Sequence, residues 1–181
     1  MKIEQERRYL ITVDELGNSL GIEEKSACHQ GEGTLHSAFL VMIFDRHSGL
    51  MQARRSRHKP LWPGFWDGTV AGHFVPGESP GLSLRRRVFE EVGVDCKKID
   101  YRFKFSYQAR YKNIGTEREV CHVYSVRSVR EIEVALNNLE VSECRFTSVE
   151  EVAGRMESRF AKFTPWFLIA FRAFMSSPKT E

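Results

Sequence analysis

Gly72-His-Phe-Val-Pro-Gly-Glu-Ser-Pro-Gly-Leu-Ser-Leu-Arg-Arg-Arg-Val-Phe-Glu-Glu-Val-Gly-Val94 reads as a glycine-bracketed loop that runs into a helix. Pro80 sits near the helix start, where its missing N–H is harmless, and Gly93 stops the helix after about Val92. Leu84, Val88 and Val92 recur every four residues and are expected to face the core. Arg87 and Glu91, and Arg86 and Glu90, form i, i+4 pairs on other stripes. A loop–helix of this form sets carboxylates on one helix face beside a glycine-rich turn. Such a face can hold a divalent cation, and the cation can bridge the oxygens of a diphosphate.

Outward from this segment, apolar runs and turn residues give a strand-rich pattern. Tyr9–Gly21 reads as a short hairpin turning at Asp14–Gly17, and Glu23–Leu35 as a loop. Phe39–Phe44 is a buried strand, turned at Asp45–Gly49 to pair with Leu50–Arg54. Trp62–Trp66 is a loop and Thr69–His73 a short strand. After the helix, long strands are expected at about Tyr101–Tyr111 and Arg118–Arg127, then a short one at Cys144–Phe146 and a helix at Val149–Met156. Phe163, Trp166, Phe167, Ala170, Phe171 and Phe174 recur at helical spacing in a last helix. Strands mixed with a few helices point to an α/β sandwich.

Composition narrows the class. With 181 residues and 41% hydrophobic content the chain can bury a sizeable core. Its longest apolar stretches are too short or too interrupted to cross a bilayer, and the charged Met1–Arg8 does not read as a signal peptide. Cys28, Cys96, Cys121 and Cys144 make no zinc-binding spacing and read as free thiols of a cytoplasmic protein. The net charge of +3 is small, with basic residues clustered at Arg54–Lys59 and Arg85–Arg87. These clusters fit a nucleic-acid surface, solvated faces or a local phosphate pocket.

The spacing from Gly72 through Glu78, Arg86, Glu90 and Glu91 to Gly93 resembles the Nudix box. One position departs: the box has Arg-Glu where this chain has Arg86-Arg87. Trp62-Pro-Gly-Phe-Trp66, Ala71-Gly72-His73, Glu117-Arg-Glu119-Val-Cys121 and Phe163-Thr-Pro-Trp166 together resemble type I isopentenyl-diphosphate isomerase, a Nudix-fold family that also carries arginine at the Arg87 position. The resemblance runs from about Tyr9 to Phe171. It implies a single Nudix α/β/α sandwich over residues 1–181, with a mixed sheet and a Nudix-type loop–helix–loop. Within it, residues 1–36 form a hairpin and metal-ligand loop, 37–175 the core, and 176–181 a disordered tail.

Glu117 and Glu119 are two apart on a strand, so both leave the same face, where His73 could join them on one cation. The resemblance adds His29 and His36 as ligands, and implies Mg2+ or Mn2+. It matches Arg55, Lys59 and Arg87 to positions that bind the substrate diphosphate, and Glu91 to the ligand of a second ion arriving with it. It matches Glu119 to a catalytic glutamate, Tyr107 to its hydrogen-bonding tyrosine, and Trp166 to a tryptophan whose π face stabilises a carbocation. The implied partner is a small diphosphate molecule, with no nucleic acid and no membrane insertion, bound by a monomer or homodimer.

Where the family has its catalytic cysteine, this chain has Ala71. A methyl group neither gives nor takes a proton. Cys28, beside His29, is a candidate substitute thiol. Three readings follow. The first is an isomerase-like enzyme acting on an isoprenoid diphosphate by protonating and deprotonating an allylic system. The second is a Nudix-type hydrolase using Glu78, Glu90 and Glu91. The third is a non-catalytic protein that binds a prenyl diphosphate.

Overall fold

A computed structural model describes residues 8–128, 131–158 and 162–176. One mixed nine-stranded sheet organises them. In chain order the elements are β1 (Tyr9–Val13), β2 (Ser19–Glu24), α1 (Lys25–Cys28), β3 (His36–Phe44), β4 (Leu50–Arg55), β5 (Trp66–Asp67) and β6 (Val70–His73). There follow α2 (Pro80–Val92), β7 (Asp100–Tyr111), β8 (Gly115–Arg127), β9 (Val141–Thr147), α3 (Val149–Glu157) and α4 (Pro165–Ser176).

β3 is the axis of the sheet. All nine of its residues are buried, as expected of a strand covered on both faces. Leu40, Met42 and Phe44 point into one core with Val152 of α3 and Phe167, Ala170 and Phe171 of α4. The alternate residues Phe39, Val41 and Ile43 point into a second core with Leu84, Val88 and Val92 of α2. The two-residue alternation of one strand thus builds an α/β/α sandwich. The helical stripe read from sequence is the one that packs, and Gly93 ends α2 in the left-handed conformation at φ 75°.

The expected hairpin between β3 and β4 is corrected. Only Phe44 and Leu50 are in register. β6 takes one edge of β3 in antiparallel pairing over four residues, and β8 takes the other in parallel over nine. β4 is displaced to pair with β9 and β5. β6, although shorter than β4, takes the edge of β3 that the hairpin would have used, and leaves β4 one pair at its end.

Four boundaries also move. β2 continues to Glu24, and α1 makes a single turn inside the stretch read as loop. β8 starts at Gly115, because the β7–β8 hairpin pairs Tyr111 with Gly115. β9 runs from Val141 to Thr147, longer than expected. The last helix begins at Pro165, so Phe163 precedes it and bridges to Trp66. Ser176, assigned from sequence to the tail, closes α4, and the rest of that tail lies outside the described residues.

Candidate active site

The parallel β3–β8 pair decides where the histidines meet the carboxylates. Its register sets His36 beside Glu119, and Glu117 lies two residues back on the same face of β8. His73, at the end of β6, joins through β3, with Ala38 in register between them. His29 follows α1 and is carried in by a loop pinned to β8. Thr116 N donates to His29 O at 2.9 Å and Thr116 Oγ1 to Gly31 O at 2.7 Å. Gly33, at φ 76°, brings that loop within 3.2 Å of the Thr116 carbonyl when a Cβ is placed on it, so a side chain there is disfavoured.

The outcome is a tight cluster. One ligand atom each from His29, His36, His73 and Glu117 lie within 4.8 Å of one another. Glu119 adds an oxygen 3.0 Å from His73 Nε2 and 3.6 Å from His36 Nε2. His29 Nε2 lies 2.8 Å from Glu117.

Two backbone carbonyls orient the rings. Nδ1 of His29 is 2.7 Å from Lys25 O, and Nδ1 of His36 is 2.8 Å from Thr34 O. A carbonyl only accepts, so each Nδ1 carries the proton and each Nε2 turns its other valence toward the cluster. His36 is fully buried, and its Nε2 has no hydrogen-bond partner. Burial opposes charge on His36, but Glu117 and Glu119 outweigh it and push its pKa up to about 10. Burial dominates at His73 and lowers its pKa to about 4 despite Glu119. Burial also opposes charge on Glu117, yet His29 and His36 hold its carboxyl well below the usual range. An orphaned imidazole nitrogen aimed at two crowded carboxylates fits a divalent cation among these five side chains.

Glu119 has a second relation. Tyr107, opposite it on β7, donates its hydroxyl to Glu119 Oε2 at 2.6 Å. Burial and the adjacent carboxylates push the phenol well above its ordinary pKa, so Tyr107 stays a donor. Ala71 shares a strand face with His73, and both line the cavity described below.

The cationic end is built from α2 and the chain after β4. Lys59 Nζ donates to Glu140 at 2.6 Å. Arg87 lies 3.4 Å from the same carboxylate, 3.3 Å from Glu90 and in direct contact with Glu91. Burial opposes charge on Glu140, but Lys59 and Arg87 pull its pKa down to about 2. Arg86 is forked between Glu78 at 2.9 Å and Glu90 at 3.1 Å. Arg55 donates to Leu61 O at 2.9 Å, lies 3.6 Å from Asp67 and sits 5.2 Å above the Trp166 ring. Asp67, in turn, accepts the Trp166 indole N–H at 2.9 Å.

A cavity of about 670 Å³ connects these groups. His29, His73, Glu117, Glu119, Ala71, Arg55, Lys59, Arg87 and Trp166 all lie on its lining. Among the residues matched to the isomerase site, His36, Tyr107 and Glu91 do not, and stand behind the wall. Glu91 is buried on α2 against Arg87, apart from the imidazole cluster. Trp166 is at once a core residue and a wall of the cavity. Cys28 is fully buried and absent from the lining, and burial pushes its thiol up to about 11. Cys121 does line the cavity.

Sequence reasoning missed Glu140 and Asp67. No motif marks Glu140, which follows a stretch without regular structure. Asp67 follows Trp66 directly, and a carboxylate next to an aromatic loop was the available signal.

A NUDIX domain profile matches residues 34–167. The chain is 33% identical over 173 residues to the isopentenyl-diphosphate Delta-isomerase of Haloarcula marismortui, covering 93% of this chain and 92% of that one. It is 34% identical over 162 residues to the isopentenyl-diphosphate Delta-isomerase of Citrobacter koseri, covering 89% and 88%. Among solved structures, the fold is similar to DR0079 from Deinococcus radiodurans, with TM-score 0.71 and 20% identity over 92% of this chain and 99% of that one. The MutT protein of Methanosarcina mazei Go1 follows at TM-score 0.62 and 20% identity, over 78% and 93%.

Proposed function

As a member of the isopentenyl-diphosphate Delta-isomerase family of NUDIX-domain proteins, this chain is an enzyme, and we propose that it acts on an isoprenoid diphosphate by proton transfer at an allylic system. One observation carries the proposal. A single cavity has Arg55, Lys59 and Arg87 on its lining together with Glu119 and Trp166. A diphosphate needs the first set, and an alkene that gains and loses a proton needs the second.

The cations are held ready by carboxylates. Phosphate oxygens take Lys59 and Arg87 from Glu140 and Glu91, so binding is an exchange of anions around fixed cations. Arg87 offers paired donors and Lys59 a point charge. With Arg87 turned to phosphate, Glu91 would be the carboxylate left to hold a second ion brought by the substrate. The hydrocarbon end then faces Trp166 and Ala71. Glu119 exchanges the proton, with Tyr107 fixing its Oε2, and the indole face of Trp166 steadies positive charge on carbon. Mg2+ or Mn2+ held by His29, His36, His73, Glu117 and Glu119 would supply fixed positive charge that sets the acidity of Glu119. Ala71 leaves the opposite wall without a proton carrier at that point.

A hydrolase of the usual box geometry would draw on Glu78 and Glu90, and Arg86 engages both. Incubation of the Mg2+-loaded protein with isopentenyl diphosphate in D2O, followed by proton and phosphorus NMR, separates the readings. Deuterium entering carbon without release of phosphate is the expected result. Release of phosphate or a monophosphate replaces the proposal with hydrolysis, and binding with neither product leaves a binding protein. Ala71→Cys restores a proton carrier, and its rate of exchange is expected to rise.

A further inference from the structure

The face of β4 turned away from the cavity carries a second recess, of about 500 Å³, lined by Arg54, Trp66, Arg145, Arg155 and Lys162. Consecutive residues divide the two: Arg55 lines the cavity and Arg54 the recess. Strand register sets Trp66 and Glu143 on either side of Arg54, and Arg145 beside Gln52. These side chains therefore share one face.

Two guanidiniums converge on one indole. Arg145 lies 4.0 Å and Arg155 5.2 Å from the Trp66 ring centroid. Stacking on an aromatic face holds a guanidinium in place, but two like charges brought together repel. Among the described residues, neither Arg145 nor Arg155 has an ion-pair partner. Glu143 pairs with Arg54 at 3.4 Å.

Buried donors also lack acceptors here. Gln52 is fully buried, its Oε1 accepts from Arg155 Nη1 at 2.6 Å, and its Nε2 has no partner. Arg145 Nε is likewise buried without a partner. Unpaired buried donors are uncommon and costly, and these two lie across from each other on neighbouring strands. Two cations that converge on one ring without a carboxylate beside them among the described residues ask for an oxyanion, and a planar guanidinium fork matches the paired oxygens of a phosphate.

We propose that this recess is a second anion site, distinct from the cavity, which takes the phosphate group of a soluble small molecule between Arg145 and Arg155 against Trp66. It stands independently of the reaction proposed above. The protein has three tryptophans, so the full-length labelled chain gives three indole N–H resonances, and Trp66→Phe identifies the one from the recess. Titration with inorganic phosphate, against sodium chloride at matched ionic strength, is expected to shift the Trp66 resonance with saturation. Arg145→Gln should weaken that response by about 10- to 100-fold, the loss of one hydrogen bond to a charged group, while the Trp166 resonance in the cavity responds as before. Where Arg145→Gln does not fold, Arg145→Lys keeps the charge, loses the fork and serves the same comparison. A Trp66 shift identical in chloride, or a midpoint unmoved by either variant, overturns the proposal. Sedimentation with phosphatidylglycerol vesicles that depends on Arg145, with no response to free phosphate, also overturns it and reassigns the recess to a lipid surface.

Discussion

The imidazole cluster at the head of β3 and the arginine cluster on α2 meet in one cavity but are completed in opposite ways. Around His36 the charges are unbalanced: a buried Nε2 has no partner and faces two carboxylates. Around Arg87 and Arg86 the charges are balanced, because Glu78, Glu90, Glu91 and Glu140 engage the cations. The first region has the donor set for a cation. The second is charge-paired on its own, so an anion bound there would compete with carboxylates. The segment that marks the family in sequence is thus a charge-paired scaffold, and the residues fit for a metal come from elsewhere in the chain.

Substitutions on either side test this contrast. The largest effect is expected at Glu119. Glu119→Gln should cut solvent-deuterium exchange into isopentenyl diphosphate by ~100- to 10,000-fold, the usual worth of a general acid–base group, while diphosphate binding at the arginine end persists. Retained exchange would remove Glu119 from the proton path.

On the arginine side, the prediction concerns acid stability. Glu140 is depressed from 4.5 to about 2, where Lys59 and Arg87 overcome burial. A depressed carboxylate stabilises the fold above its unfolded value, and that contribution disappears as pH falls from about 4.5 toward 2. The gap corresponds to about 3 kcal/mol at full value, and solvent screening at this half-buried pair brings the expected contribution down to about 1 to 2 kcal/mol. Urea denaturation of the parent and Glu140→Gln should therefore give stabilities that converge through this window, and parallel curves would show that Glu140 contributes no such term.

Metal linkage comes next. At Mn2+ near 100 times its dissociation constant the parent should gain about 2.7 kcal/mol, visible as a rise in thermal midpoint. His36→Gln should lose most of that gain. An equal gain in the variant would place the ion away from His36.

The smallest effect belongs to Arg86. Its carboxylate contacts are partly exposed, so Arg86→Gln should lower stability by only about 1 kcal/mol. Its more informative readout is Mn2+ affinity at α2. If Glu78 and Glu90 gain a metal once Arg86 is removed, the pairing is what closes that helix to cations. No gain would mean that Arg87 alone suffices.

The helix was legible because its signals are local. Pro80, Gly93 and the Leu84–Val88–Val92 stripe each act within a turn or two. The pairing of β3 was not, because a turn at Asp45–Gly49 suggests a hairpin whether or not longer partners compete for the strand. β6 takes the edge beside β4, and β8 fills the opposite one through a nine-residue parallel ladder that no local pattern announces. The same non-local ladder brings His36 to Glu119, so strand alternation grouped Glu117 and Glu119 with His73, while His29 and His36 could be read only through the family resemblance. Glu140 escaped both routes, since it sits in an irregular stretch and acts through cations supplied by the chain after β4 and by α2. Arg54 and Arg55 read as one basic patch, although the alternation of a strand sends them to separate surfaces.

The His29–Glu117 contact joins residues 88 positions apart in sequence. Seen as polymer topology, an ion shared by these side chains would be a clasp on a long loop, removable by a chelator as a disulfide is by a reductant. Closing a loop of this size withdraws conformational freedom from the unfolded chain, and a covalent link of similar span is worth about 4 to 5 kcal/mol on the loop-entropy estimate. The ends it ties belong to the N-terminal hairpin segment and to β8. With the clasp open, the hairpin segment is the part whose attachment weakens first, so proteolysis of the chelated protein should begin there rather than in the double core around β3.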